Sequence, residues 1–213
     1  MEGYVFKWHP QHAKVKSLIA EGKIGTPRFF SAEFTYPQPP AGDIRLNPEL
    51  GGGVLHDSAG YAVAAAVLQL PGKPVSVFCQ LTMDEAANVD NGFCLWMRFD
   101  TGAVAQLLVA FGTHYRSRYS ILGSKGRIEL LRAFAVPPDA PAIIQLETGS
   151  GEEKITVEPA DQFRLMIEDV SAQFRTGKHQ SSVDELLRQH AIMDAATRSI
   201  GEGRMIDLAD YNL

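Results

Sequence analysis

The chain has 213 residues, 45% apolar and 21% charged, and carries a net charge of −5 with no block of like charges. That length suits one domain, residues 1–213, with a substantial core and no second large unit. The mild acidity leaves no electrostatic footprint for nucleic acid. No apolar run approaches the roughly 20 residues needed to cross a bilayer, and the opening Met-Glu-Gly-Tyr is not a secretory leader, so the expectation is a cytoplasmic protein away from membranes.

His9-Pro10 followed by Gln11 to Glu21 predicts a helix with Val15, Leu18 and Ile19 on its apolar face, punctuated by Gly22 and Gly25. Residues 28–36 (RFFSAEFTY) alternate partly and predict a strand. A proline-rich loop then runs to Gly51-Gly52-Gly53, and Val54 to Leu70 has a helical pattern. Residues 75–83, 92–99, 103–111, 116–122 and 127–134 predict five strands divided by Asp90-Asn91-Gly92 and Asp100-Thr101-Gly102. Residues 142–148 and 153–158 form a further hairpin across Gly149-Ser150-Gly151. Connections this short cannot hold crossover helices, so the strands should be mostly antiparallel. Asp161 to Thr176 predicts a helix with Phe163, Met166, Ile167, Val170 and Phe174 on one side. Ser182 to Glu202 predicts another, opening on a Ser-Val-Asp-Glu cap.

The expected fold is α+β: one large, mostly antiparallel sheet of about seven strands with helices packed on one face. FCLWMRF and VAQLLVAF place apolar residues at successive positions, which implies that both sheet faces are covered, one of them by another subunit. Cys79 and Cys94, in strand-like runs with no zinc spacing, are expected as reduced core thiols.

Nothing here reads as strand, Gly-x-Gly-x-x-Gly, helix, the arrangement that brings backbone amides to a dinucleotide pyrophosphate. Gly51-Gly52-Gly53 has the wrong spacing and follows a loop, and Gly201-Glu202-Gly203 ends a terminal helix. No cofactor-binding residue is therefore assigned in this chain.

The stretch from Gly51 to Tyr61 is the one that points to chemistry. Asp57 and Tyr61, four apart at a helix start, share a face, and Gly52 and Gly53 allow close backbone approach to a ligand. A tyrosine hydroxyl can give a proton to a carbonyl oxygen as hydride reaches the carbon, best beside a cation that lowers its pKa. The same spacing also fits a half-buried helix tyrosine and a first-turn aspartate favoured by the helix dipole. Arg45, on the loop before the glycines, is either a grip for phosphate or sugar oxygens or a solvated loop charge. His114-Tyr115-Arg116-Ser117-Arg118-Tyr119 interleaves basic and aromatic residues, either to stack a base or contact a diphosphate or as a strand with one wet face. His9 and His12 have no third metal ligand in sequence, so no metal is expected.

These residues carry a resemblance. The opening Glu2-Gly-Tyr-Val-Phe6-Lys-Trp-His9-Pro10-Gln11-His12, then Val15-Lys16 and Ile24-Gly25, resembles the Gfo/Idh/MocA family (glucose-fructose oxidoreductase, inositol dehydrogenase, rhizopine catabolism) where its chain leaves the nucleotide domain. Asp43-Ile44-Arg45, Pro48 to Gly53, Leu55 and Asp57 to Tyr61 are similar to its central substrate signature, and Gly123-Ser124-Lys125-Gly126-Arg127-Ile128 to a later motif. His114-Tyr115-Arg116 and Arg132-Ala133-Phe134 before Pro137-Pro138 resemble its ketoreductases of nucleotide-linked 3-keto deoxysugars. Ala59, where the family usually has glycine, and Ser58, where it has a small apolar residue, depart from the pattern.

The resemblance implies a glyceraldehyde-3-phosphate dehydrogenase-like C-terminal domain of an NADP- or NAD-dependent sugar oxidoreductase. It implies Tyr61 as proton donor, Asp57 beside it, and Arg45, Gly52, Gly53, His114, Tyr115 and Arg116 toward substrate. The cofactor, and a lysine that tunes the acid, would belong to an N-terminal domain absent from this chain. The chain alone would then be an incomplete enzyme that assembles through its sheet, with a separate nucleotide-binding unit as partner. The competing expectation is a non-enzymatic dimerisation or sugar-binding module.

Overall fold

The structure is a computed structural model and describes residues 3–177 and 180–211. Glu2 of the opening motif and the side chain of Ser182, expected to cap the last helix, lie outside the described residues.

A short 3₁₀ turn, Val5–Trp8, leads into helix α1, Pro10–Ala20. Proline at the first helical position loses no hydrogen bond, and the His9 ring nitrogen Nδ1 accepts the Gln11 N–H at 3.3 Å, capping the helix. Val15 and Leu18 are buried. Strand β1 is Pro27–Tyr36. The glycine loop leads to α2, Val54–Asp57, and α3, Ala59–Gln69. Strands β2 (Pro74–Asp84), β3 (Val89–Phe99), β4 (Val104–Phe111), β5 (Arg116–Gly123), β6 (Gly126–Leu130), β7 (Ala142–Thr148) and β8 (Gly151–Val157) follow. Helices α4, Gln162–Thr176, and α5, Gln180–Glu202, precede a two-residue strand β9, Ile206–Asp207.

The strands form one nine-stranded sheet in the order β8-β7-β6-β5-β1-β4-β3-β2-β9, two strands more than expected. β1 runs parallel to β4, and every other neighbouring pair is antiparallel. Between the two parallel strands the chain passes through α2, α3, β2 and β3, a connection long enough for a crossover. Register sets one face: Phe30 and Ala32 on β1 lie beside Ala105 and Leu107 on β4 and Ile121 and Tyr119 on β5, all buried. α3 covers β1 and β4, and α5 covers β2.

Helices pack on one face of the sheet, as expected. Strict alternation sends Trp96 (49% exposed), Leu108, Phe29 and Leu122 to the other face, where they are exposed in the single chain. Two expectations change. The same alternation makes Cys94 exposed, and Cys79 is the buried thiol of the two. Asp90-Asn91-Gly92 is not a turn. It lies inside β3, where a register shift opposite Thr82/Met83 absorbs it, and the turn sits at residues 85–88, with Asn88 at φ 53. Asparagine tolerates the left-handed region better than most side chains. Asp100-Thr101-Gly102 does join a hairpin, with Gly102 at φ 82.

Candidate functional site

The loop before α2 is built from side-chain caps and glycine contacts. The Asp43 carboxylate accepts the Arg45 N–H at 3.0 Å, and Asn47 Oδ1 accepts the Glu49 N–H at 2.9 Å. The chain then folds back on itself: Gly52 N–H donates to Asn47 O and Gly53 N–H to Arg45 O, each at 2.9 Å. A Cβ on Gly52 would come within 2.7 Å of the Arg45 carbonyl oxygen. Gly53 has φ 102, and a Cβ there would meet the Asp90 carboxyl group, 2.6 Å from its Cγ. Asp90 in turn accepts the Leu55 N–H at 2.7 Å and so caps α2.

Asp57 and Tyr61 do not share one continuous helix. Ser58, at φ −133 and ψ −12, separates α2 from α3. Its hydroxyl pairs with Tyr36 Oη at 3.2 Å, tying the break to β1. The two residues still converge, because both line one cavity of about 410 Å³.

Within the cavity, Asp57 Oδ2 accepts from Tyr36 Oη at 2.9 Å and from Arg45 Nε at 3.1 Å. Arg45 Nη1 also reaches Asp43 at 3.2 Å, and the guanidinium lies 5.8 Å from the centre of the Tyr36 ring. Burial, then the Asp57 charge, push the Tyr36 phenol up to about 12. The carboxylates of Asp57 and Asp43 raise Arg45 against the opposing effect of burial.

Tyr61 is half-buried in an aromatic wall. Its ring centre lies 4.8 Å from Tyr4 and 5.5 Å from Phe34, with Phe6 and Phe134 close behind. Its hydroxyl makes no hydrogen bond among the described residues. Burial, and then the Asp57 charge, raise its pKa. Among the described residues no cation lowers it.

Arg45, Asp57, Tyr61 and Tyr115 are thus brought together on one cavity, with Phe34, Tyr36, Ser58, Phe134, Gln162 and Phe163 among its other walls. Gly52, Gly53, His114 and Arg116 do not line it. His114 and Arg116 are exposed beside Tyr115, and the His114 carbonyl accepts from Thr35 Oγ1 at 2.6 Å. The run to Tyr119 does not act as one surface: Ser117 and Tyr119 are in the core, and Arg118 pairs with Glu33 at 2.6 Å on the open face. His12 belongs to the core as well. Its Nε2 lies 3.1 Å from the Ala133 carbonyl and 3.3 Å from Gln11 Nε2, and its Nδ1 lies 3.0 Å from the Tyr119 hydroxyl.

Tyr36 and Gln162 were not singled out from sequence, while Ser58 and Phe134 were named only as parts of the family pattern. Each reaches the cavity from a separate element, so no local spacing marks them. A larger, more open groove is lined by Lys125, Arg127, Glu147 and Thr148 on β5 to β7, where Arg127 pairs with Glu147 at 3.2 Å.

Residues 12–129 match the model of the GFO/IDH/MocA C-terminal domain, more than half of the chain. The chain belongs to the GFO/IDH/MocA family. This GFO/IDH/MocA domain is 33% identical over 196 residues to a dTDP-3,4-didehydro-2,6-dideoxy-alpha-D-glucose 3-reductase of Actinomadura kijaniata, covering 92% of the chain and 59% of that relative. It is 29% identical to a D-xylose 1-dehydrogenase (NADP(+)) of Haloferax volcanii, covering 98% of the chain and 64% of that relative. Among solved structures, a 3-ketoreductase from Actinomadura kijaniata in complex with NADP and TDP-benzene superimposes with a TM-score of 0.89 at 31% identity, over 94% of the chain and 62% of the other. The chain spans about six tenths of the length of these relatives.

Proposed function

We propose that this GFO/IDH/MocA domain is the substrate-binding part of a cytoplasmic NADP- or NAD-dependent oxidoreductase acting on a sugar or nucleotide-linked keto-sugar, with Tyr61 as the proton donor to the carbonyl oxygen. The observation that carries the reading is a phenol with an uncommitted hydroxyl in the wall of a cavity shared with Asp57 and Arg45. Aromatic walls suit the apolar face of a sugar ring, and a few convergent polar groups fix its orientation. The printed activities of the two relatives, one on a dTDP-linked keto-sugar and one on xylose, support this substrate class. Arg45 and Tyr115 are placed toward the sugar or diphosphate. His114 and Arg116, exposed beside Tyr115, are assigned to the outer part of a nucleotide-linked substrate.

The described residues do not fit the nicotinamide cofactor. The glycine loop is filled by the Asp90 carboxylate, which already holds the Leu55 amide and would repel a phosphate. A separate nucleotide-binding unit is the partner this reading requires. Phe163 on the cavity rim (58% exposed) and Ile167 one turn later (59%) offer apolar surface for it. With burial and Asp57 both holding the proton on Tyr61, the phenol is a reluctant acid until such a unit brings a cation beside it. The open sheet face around Trp96 and Leu108 supports a second role in assembly with another copy of the chain.

The test is Tyr61→Phe in the complete, cofactor-binding enzyme. Turnover should fall by about 10²–10⁴-fold, the usual loss of a general acid, with unfolding unchanged. A fall of less than about tenfold removes Tyr61 from the chemistry.

A further inference from the structure

Pro10-Gln11-His12 places two polar side chains at the start of α1, and both are buried. Neither lines the cavity of Tyr61. They meet instead the connection between β6 and β7, residues 131–141, which leaves the sheet yet buries Ala133 and Phe134. Buried backbone outside a strand needs hydrogen-bond partners from elsewhere. Gln11 Nε2 donates to the Arg132 carbonyl at 3.3 Å and to the Ala133 carbonyl at 3.2 Å, and His12 Nε2 lies 3.1 Å from the Ala133 carbonyl. The N–H groups of the same bend turn to β5: Ala133 N–H donates to Ser117 O at 2.5 Å and Phe134 N–H to Ser117 Oγ at 3.1 Å.

This bend delivers Phe134 and Ala135 to the cavity. The Phe134 ring centre lies 5.0 Å from that of Phe34 and 6.4 Å from that of Tyr61, with its plane at 90° to the Tyr61 ring. Gln11 itself sits on a fixed element. The His9 ring caps its N–H, and Gln69 at the end of α3 donates to the His12 carbonyl at 3.1 Å. α3 also carries Tyr61. One turn of α1 therefore ties the helix of the phenol to the bend that supplies the neighbouring aromatic wall, 122 residues along the chain from Gln11.

We propose that Gln11 is a positioning residue for the substrate cavity: by holding the carbonyls of Arg132 and Ala133 it sets Phe134 beside Tyr61 and so fixes the apolar wall on which the sugar ring packs. It acts through Phe134 and does not touch the substrate. A carboxamide suits the task because its N–H donors can serve two adjacent carbonyls. A hydrocarbon side chain of the same length leaves both unmet, and the bend then shifts toward other partners. This rests on the reading of the cavity as a sugar site.

Gln11→Met keeps the length and removes the donors. In the complete enzyme, affinity for dTDP-glucose, measured by calorimetry, should fall by about three- to tenfold, much of the contact one aromatic ring makes. In a Phe134→Ala background, which has already lost that ring, the same substitution should change affinity by less than about twofold, while lowering the melting temperature by about 2–8 °C in both backgrounds. Hydrogen exchange at the Phe134 amide should quicken by about tenfold. Ser117→Ala removes the other hold on Phe134 and should weaken dTDP-glucose binding in the same way, so the proposal stays testable where Gln11→Met folds poorly. Affinity losses that simply add in the double variant, unchanged affinity in both single variants at Gln11 and Ser117, or a Phe134 amide that exchanges as before overturn the proposal while leaving the sugar site standing. Failure of the unsubstituted enzyme to bind dTDP-glucose overturns both readings.

Discussion

Gly53→Ala probes the loop that sets Asp57 in place. Gly53 combines φ 102 with ψ 161, a region essentially restricted to glycine, which costs another residue about 1–3 kcal/mol. The new Cβ would also displace the Asp90 carboxyl group and the cap it gives the Leu55 N–H, worth about 1 kcal/mol. The sum is about 2–4 kcal/mol, or a melting temperature lower by about 5–15 °C in a domain of this size. Urea unfolding followed by circular dichroism measures it. Asp90→Ala alone should cost only the cap. Combined with Gly53→Ala it should cost less than the two together, because the collision is gone, with a coupling of about 1 kcal/mol. A loss below about 0.5 kcal/mol for Gly53→Ala, or strict additivity in the pair, would show that the glycine is not held by this contact.

Two further outcomes follow from the core and the open face. His12 is fully enclosed, and burial, then the nearby His9, lower its pKa to about 3, so the fold holds it neutral while the unfolded chain takes up a proton near 6.5. Its contribution is complete above pH 6.5 and is lost as pH falls toward 3. Stability should therefore drop between pH 6.5 and 5.5 with a slope rising toward about 1.4 kcal/mol per pH unit, and His12→Gln should flatten that slope; an identical slope in the variant refutes the assignment. On the open face, light scattering should find an oligomer for the unsubstituted chain and a folded monomer for Trp96→Lys with Leu108→Lys. A monomeric parent chain would count against assembly through the sheet.

The fold was largely legible because strands with alternating burial, such as β4 and β5, and the hairpin at Asp100-Thr101-Gly102 encode themselves over a few residues. Asp90-Asn91-Gly92 misled because its composition is that of a turn, while its role is long-range. Asp90 reaches across to cap α2, and Gly92 makes room for Thr82. Which sheet face stays open could not be read from FCLWMRF, since that is set by where the helices land. The pair Asp57 and Tyr61 was found from spacing, yet their convergence depends on a helix break at Ser58 that spacing alone does not show. Tyr36 and Gln162 lie 21 residues before and 105 residues after Asp57, so only the folded sheet and the cap of α4 make them neighbours of the site.

The most direct test of the account is a structure of the complete enzyme with NADP and a nucleotide-linked keto-sugar bound. The carbonyl oxygen should lie within about 2.6–3.2 Å of Tyr61 Oη, inside the cavity of Asp57 and Arg45. A carbonyl bound outside that cavity, with the phenol facing only its aromatic neighbours, would contradict it.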